Sequence, residues 1–187
     1  MSLAKFARPE AHRVLGIDAS TNSFAFCLMH EKEAVKWGEI TFEGSDVYER
    51  ILDAKRKIHA FKEELKFDFV VMEAAISVRS VATGIKMAYV FGAIMGELLS
   101  DGVTVHEIHP ITWQSYLGNK NFNKSEKEAV RLEFPNKSDS WIKNKIREKR
   151  KQKTINWVKD TYGISLESDN VADAFGISFY ALDHLVY

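Results

Sequence analysis

The order of its apolar runs constrains this chain more than any single residue does. Three runs of strand length come first. Arg13 to Ile17 and Phe24 to Met29 read as an antiparallel pair joined at Asp18 to Ser23, and Val35 to Phe42 reads as a third strand with Val35, Trp37, Glu39 and Thr41 on one face. Helical and strand-like segments alternate after that. Asp46 to Lys66 places Tyr48, Ile51, Leu52, Ile58, Phe61 and Leu65 near helical spacing, with charges on the opposite face. Phe67 to Met72 is a short apolar run bounded by charge. Val78 to Ser100 predicts a long apolar helix ended by Asp101-Gly102. Val103 to Ile108 is another strand, and Pro110 opens a helix that Gly118 ends. Asn119 to Asn123 is a polar loop. Ser125 to Phe134 predicts a helix stopped by Pro135, Ser140 to Tyr162 one long helix or two, and Asp169 to Val186 a last helix whose apolar side is interrupted by Ser178. Strand, strand, strand, helix, strand, helix, strand, helices is an α/β order.

The 187 residues suit one domain, here 1–187, with a basic helical segment at about 136–162. A lone cysteine, Cys27, excludes an intramolecular disulfide and any multi-cysteine metal site. Its apolar surroundings read as those of a buried structural thiol. No signal peptide and no run of 18 apolar residues is evident, so the expectation is a cytoplasmic protein with no membrane segment. The 26 basic and 26 acidic residues cancel, which by itself argues against a nucleic-acid partner. The distribution argues for one. Lys143, Lys145, Arg147, Lys149, Arg150, Lys151 and Lys153 stand against a single acid, Glu148.

Acids stand at the ends of the core elements. Asp18 follows Val14-Leu15-Gly16-Ile17, Glu73 follows Phe69-Val70-Val71-Met72, and Asp169 and Asp173 lie four residues apart on one face of the last helix. Singly, each is ordinary, because turns and helix starts favour acids. Together they are not. If the first and fourth strands are neighbours, their ends unite Asp18 and Glu73, and the last helix adds Asp173. Two like charges at 4 Å cost about 4 kcal/mol at an effective dielectric of 20. Such a cluster calls for a hard divalent cation with oxygen ligands.

Val14-Leu15-Gly16-Ile17-Asp18, Val70-Val71-Met72-Glu73 and Asp169-Asn170-Val171-Ala172-Asp173-Ala174 resemble, in order, the three acidic motifs of RuvC-like Holliday junction resolvases in the ribonuclease H-like superfamily. The Gly84 to Gly96 segment is similar as well, as are Val105 to Ile108 with Pro110 and a Trp113-Gln114 helix ending at Gly118. The resemblance covers most of the chain. It implies a ribonuclease H-like fold, a mixed five-stranded sheet with three antiparallel strands first and helices on both faces. It also implies a homodimer that resolves four-way junctions by paired phosphodiester hydrolysis. The cofactor would be Mg²⁺ or Mn²⁺, two ions per site, held by Asp18, Glu73 and Asp173, with Asp169 as a further ligand. The short chain suggests a bacteriophage-type member. Two departures stand out. Many relatives have acids three apart in the last motif, where this chain has Asn170. Relatives often carry a base-probing aromatic after the glutamate, and Ala74-Ala75-Ile76-Ser77 offers none.

The basic run, extended by Lys120, Lys124 and Lys127, is the expected DNA track, against the plainer reading of a solvated helix face. Trp141 and Trp157 flank it and could stack on bases, though core packing is the expectation for Trp157. His106 and His109 bracket a strand end, and neither has a partner at zinc-like spacing. Two other functions compete with the nuclease. Gly16-Ile17-Asp18-Ala19-Ser20-Thr21 resembles the first phosphate loop of actin-like ATPases, but no second such loop is found. A non-catalytic nucleic-acid-binding module would be expected to have lost Asp18, Glu73 or Asp173, and all three are present.

Overall fold

The computed structural model describes residues 12–74, 80–99 and 102–186. Its elements follow the expected order: β1 Arg13–Ala19, β2 Ser23–His30, β3 Glu33–Thr41, α1 Val47–Glu64, β4 Phe69–Glu73, α2 Val81–Leu98, β5 Thr104–Ile108, α3 Pro110–Tyr116, α4 Lys124–Glu133, α5 Asp139–Tyr162 and α6 Asp169–His184. The strands form one mixed sheet in the order β3-β2-β1-β4-β5. β1, β2 and β3 pair antiparallel, while β4 pairs parallel to both β1 and β5.

Alternation along the strands makes two cores. Leu15, Ile17, Phe24, Phe26, Leu28, Val70 and Met72 face α1 and α2, where Ala54, Ile58, Phe61, Val90, Ile94 and Leu98 close over them. On the other face Ala25, Cys27 and Met29 meet Val158 of α5 and Val171, Ala174 and Phe175 of α6. Val14, Val71 and Ile108 meet Trp113, Ile177 and Ala181. Cys27 is buried, and burial pushes its thiol pKa up, as for an inert structural residue.

Several boundaries differ from the sequence reading. β1 does not end at Asp18 but runs on to Ala19, so Asp18 is held inside a paired strand, opposite Ala25. Ser140 to Tyr162 is one helix; Ser138 caps its start and Gly163, at φ +70°, ends it. The apolar helix begins at Val81 behind the cap of Ser80, with Val78 and Ser100 outside the described residues. Residues 75–77, where an aromatic was missed, also lie outside them. By length and composition α2 is long and apolar enough to cross a membrane, in contrast to the expectation of no such segment. A soluble core helix passes the same test, and α2 does put Val90, Ile94 and Leu98 into the core.

The interruption at Ser178 has a structural reason. Its hydroxyl accepts from the Gly16 N–H at 2.8 Å and donates to the Cys27 carbonyl at 2.7 Å, bridging two residues paired across β1 and β2. This buried hydroxyl pins α6 onto the centre of the sheet.

Candidate active site

Strand periodicity decides which face the first two acids occupy. Val14 and Gly16 lie on the α6 side of β1, and Asp18 shares their parity; Val71 lies on the same side of β4, and Glu73 shares its parity. The parallel register pairs Ile17 with Met72, so the next residues, Asp18 and Glu73, come side by side. α6 crosses above them and brings Asp173 from its second turn.

The carboxylates act on one another. Burial, then the charges of Glu73 and Asp169, push the Asp18 pKa up to about 7, with Lys151 pulling it down and Glu39 adding to the rise. Asp173 is pushed well above the usual carboxylate range by burial first, then by Asp18, Glu73 and Asp169. Glu73 is raised by burial, against a hydrogen bond from Trp113 and the nearby His109. The four acids expected at the site thus share one electrostatic neighbourhood.

Neighbours hold these groups in place. The buried Trp113 indole donates to Glu73 Oε2 at 3.0 Å, which leaves Oε1 for another partner. Asp169 sits in the first turn of α6, paired with Lys151 of α5. Asn170 turns to the sheet edge, where its Nδ2 donates to Glu39 Oε1 at 3.0 Å and Ser168 donates to Oε2 at 2.7 Å. Partial burial raises the Glu39 pKa, but the hydrogen bonds from Asn170, Ser168 and Ser23 outweigh it and hold the carboxyl low. Glu39 therefore fixes the α6 start and adds negative charge beside Asp18. The sequence reading placed it on a strand face and gave it no such role.

Among the described residues, no group of three or more histidine, cysteine, aspartate or glutamate side chains is drawn in closely enough to hold a metal ion as it stands. The donor chemistry nevertheless fits a hard divalent ion: every donor is a carboxylate oxygen, Asp18 and Asp173 are raised by burial and by the neighbouring acids, and Lys151 offsets only part of that repulsion.

The basic run is not one uniform face. Lys145 pairs with Glu148 at 2.7 Å and Lys149 with Glu133 at 2.6 Å. Arg147, Arg150 and Lys151 instead line a cavity that has Asp173 in its wall. Lys143 joins Lys124, Lys127 and Arg131 along a groove between α4 and α5. Lys120 and Lys153 are exposed, the latter with its ammonium 4.6 Å from the Phe122 ring centre. Trp157 packs edge-on against Phe179 and Tyr162, in keeping with a packing role, and Trp141 packs edge-on against Phe134. His106 stacks on Phe69.

No protein-family model matches the sequence, and no curated protein matches it by sequence. Solved structures match its fold. RuvC of Thermus thermophilus in complex with a Holliday junction substrate superposes with a TM-score of 0.64 at 14% identity, over 92% of this chain and 96% of that one. A second Thermus thermophilus RuvC structure gives 0.61 at 15% identity, over 94% of each chain. The yeast mitochondrial Holliday junction resolvase Ydc2 gives 0.52 at 14% identity, over 96% and 84%. The chain has the fold of RuvC-like resolvases, a ribonuclease H-like α/β sheet.

Proposed function

We propose that this protein is a divalent-metal-dependent endonuclease that cuts branched DNA, with the four-way junction as its substrate, and that it works as a homodimer in the cytoplasm. One observation carries the reading: Asp18 of β1, Glu73 of β4 and Asp173 of α6 share one electrostatic neighbourhood, each with its pKa raised, beside a cavity lined by Arg147, Arg150 and Lys151. Asp18, Glu73 and Asp173 would hold Mg²⁺ or Mn²⁺, two ions per site, with Asp169 within reach of the same charges. Bound there, the ions would activate a water and stabilise the leaving oxygen of a phosphodiester.

The chain's own residues do the rest. Trp113 fixes the rotamer of Glu73. Glu39, through Asn170 and Ser168, fixes the start of α6 and hence the approach of Asp173. Arg147 and Arg150 neutralise the strand being cut, while Lys151 offsets the charge of Asp169. The experiment is incubation with labelled junction, flap and plain duplex, with and without Mg²⁺. Metal-dependent paired nicks in the junction are expected; cutting of plain duplex as fast as junction, or of none of the three, would overturn the reading.

The cation environments predict how each residue contributes to affinity. A lysine or arginine contacting a phosphate contributes about 0.9 to the salt slope of binding. Lys145 and Lys149 already neutralise acids of the protein itself. Arg147→Ala should therefore flatten the slope by roughly one contact, and Lys145→Ala should change it little, as read by fluorescence anisotropy across a salt series. Equal slopes for the two variants would place the DNA track elsewhere, along Lys120, Lys124 and Lys127.

A junction has two-fold symmetry, and paired nicks need two sites about a matching axis. α2 is the candidate interface. Val90 and Ile94 are buried in the protein's own core, and Phe91 and Met95 pack against it. The face left open carries Val81 at 80% exposure, Ile85 and Tyr89, and the exposed Tyr48 of α1 lines one cavity with Ile85 and Tyr89. Gly92 and Gly96 leave the helix backbone clear beyond them. Exposed apolar side chains grouped on one helix face are what a second copy would cover. Ile85→Glu with Tyr89→Glu should convert dimer to monomer in light scattering and turn paired cuts into single nicks. A wild-type protein monomeric with and without junction DNA would count against the interface.

A further inference from the structure

Helices α4 and α5 form a hairpin of their own. Among the described residues α4 has one substantial packing partner, α5. The second half of α5 brings Val158 into the core with α6. Its first half buries Ile142, α4 buries Val130, and Phe134 at the end of α4 packs edge-on against Trp141, with ring centres 4.9 Å apart. A groove of about 340 Å³ runs between the two helices. Lys124, Lys127, Arg131 and Lys143 line it against two acids, Glu128 and Asp139. Arg131 takes Asp139 at 2.6 Å. Lys124, Lys127 and Lys143 are exposed and, among the described residues, pair with no acid. Like charges gathered along one groove repel, so this arrangement opposes the hairpin that carries it. Lys124 also stands in the first turn of α4, where the helix dipole disfavours a cation. An anion lying between the helices relieves both.

The groove is continuous with the acidic site. Lys143 and Ile146 line it from α5, and Arg147 and Arg150, which continue the same helix face, line the cavity that has Asp173 in its wall. A polyanion seated at Asp173 therefore finds a basic track leading outward along α5. Lys143 precedes Arg150 by two turns, ~10 Å along the helix axis and about three base pairs of duplex. Among the described residues no aromatic side chain lines the groove. Unpaired strands are held by stacking their bases on aromatic rings, whereas a duplex turns its bases inward and offers phosphates. The lining suits the duplex.

Resting on the reading of the chain as a nuclease for branched DNA, we propose that the α4–α5 groove holds the phosphate backbone of one duplex arm, beginning about three base pairs from the cut. Lys124, Lys127 and Lys143 make the contacts. The hairpin thereby requires intact duplex on one side of the cut and makes no demand on its sequence.

In the test, methylphosphonate linkages, which carry no charge, are placed singly along the arms of a synthetic junction. Binding of the intact protein is read by fluorescence anisotropy in EDTA across a salt series, and cuts on the same junction are located in Mg²⁺. For the wild type, neutral linkages roughly three to five base pairs from the cut, on one side of it, should weaken binding. In the variant combining Lys124→Ala, Lys127→Ala and Lys143→Ala the same linkages should have no effect, and the salt slope should be lower by about 2.7, three contacts at 0.9 each. Unchanged melting would show its fold intact, as for surface substitutions in general. A wild type indifferent to every linkage except those next to the cut would overturn the proposal without any variant. A triple variant that keeps the full slope and the same sensitive linkages would overturn it as well, and would leave the groove to another anionic occupant, an acidic protein segment. Sensitive linkages out along one arm, lost in the triple variant but with no cutting by the wild type, would uphold the groove and sink the nuclease reading alone.

Discussion

Asp18→Asn is expected to abolish cutting and, in the same variant, to make the metal-free protein more stable. The two effects have one cause. If Asp18 is a ligand, its loss removes several kcal/mol of stabilisation at the reacting phosphate. At 1.36 kcal/mol per tenfold, this lowers the rate on the order of 10³-fold or more. The same carboxylate is a liability in the empty site. Burial and the charges of Glu73 and Asp169 hold its pKa at about 7, against 3.8 for an unperturbed aspartate. Between those values the folded chain binds the proton and the unfolded chain does not, so stability falls as pH rises. The contribution is fully present below pH ~4 and lost by pH ~7, and for a group titrating alone it amounts to about 4 kcal/mol. Asp173 shifts in the same direction and adds to the fall.

Asparagine has nothing to titrate. In EDTA the urea midpoint of Asp18→Asn should exceed that of the wild type at pH 8 and approach it at pH 4. Mg²⁺ or Mn²⁺ should raise the wild-type midpoint at pH 8 more than at pH 5, by preferential binding to the folded chain with ionised carboxylates. It should leave the variant nearly unmoved. A variant less stable than wild type at pH 8, or one that still cuts, would remove Asp18 from the metal site.

How much of this was legible in the sequence differs from residue to residue. Asp18 and Glu73 were legible because each closely follows a continuous apolar run, and two such runs, once paired in parallel, bring the residues after them together. Asp169 and Asp173 were legible from helical spacing. Glu39 was not, because its role depends on β3 lying beside the start of α6, a contact over 129 residues of sequence with Ser168. The unequal cations of α5 were equally hidden. Lys149 looks the same as Arg147 in sequence, and only the packing of α4 against α5 gives it Glu133. The facing of α2 was hidden for a different reason. Its apolar residues surround the helix, so periodicity does not say which of them turn inward, and only the packing shows that Val90, Ile94 and Leu98 go to the core while Val81, Ile85 and Tyr89 stay open.

Ser178 connects fold and site, and it motivates the second large effect. Gly16→Ala should destabilise the protein by about 3 kcal/mol or more, near 6–12 °C in melting temperature for a chain of this size. The added Cβ would stand 2.2 Å from Ser178 Oγ, 2.6 Å from Ser178 N and 2.7 Å from Ala174 O. A side-chain oxygen can be removed by substitution, but two of the three atoms are backbone of α6, so the helix itself has to lift off β1. That movement breaks the hydroxyl bridge from the Gly16 N–H to the Cys27 carbonyl. It also carries Asp173, the residue next to Ala174, away from Asp18. A displacement near 1 Å at a reacting centre can cost about 10²-fold in rate, so cutting should fall by that order even at temperatures where the variant stays folded. Ser178→Ala separates the two contributions. It leaves the helix seated but strands a buried N–H and a buried carbonyl, costing about 1–3 kcal/mol with a smaller loss of rate. Adding Ser178→Gly to Gly16→Ala removes the closest atom and leaves both backbone contacts. The double variant should therefore recover little, and recovery to wild-type melting and cutting would show that the hydroxyl alone, and not the seating of α6, makes glycine necessary at position 16.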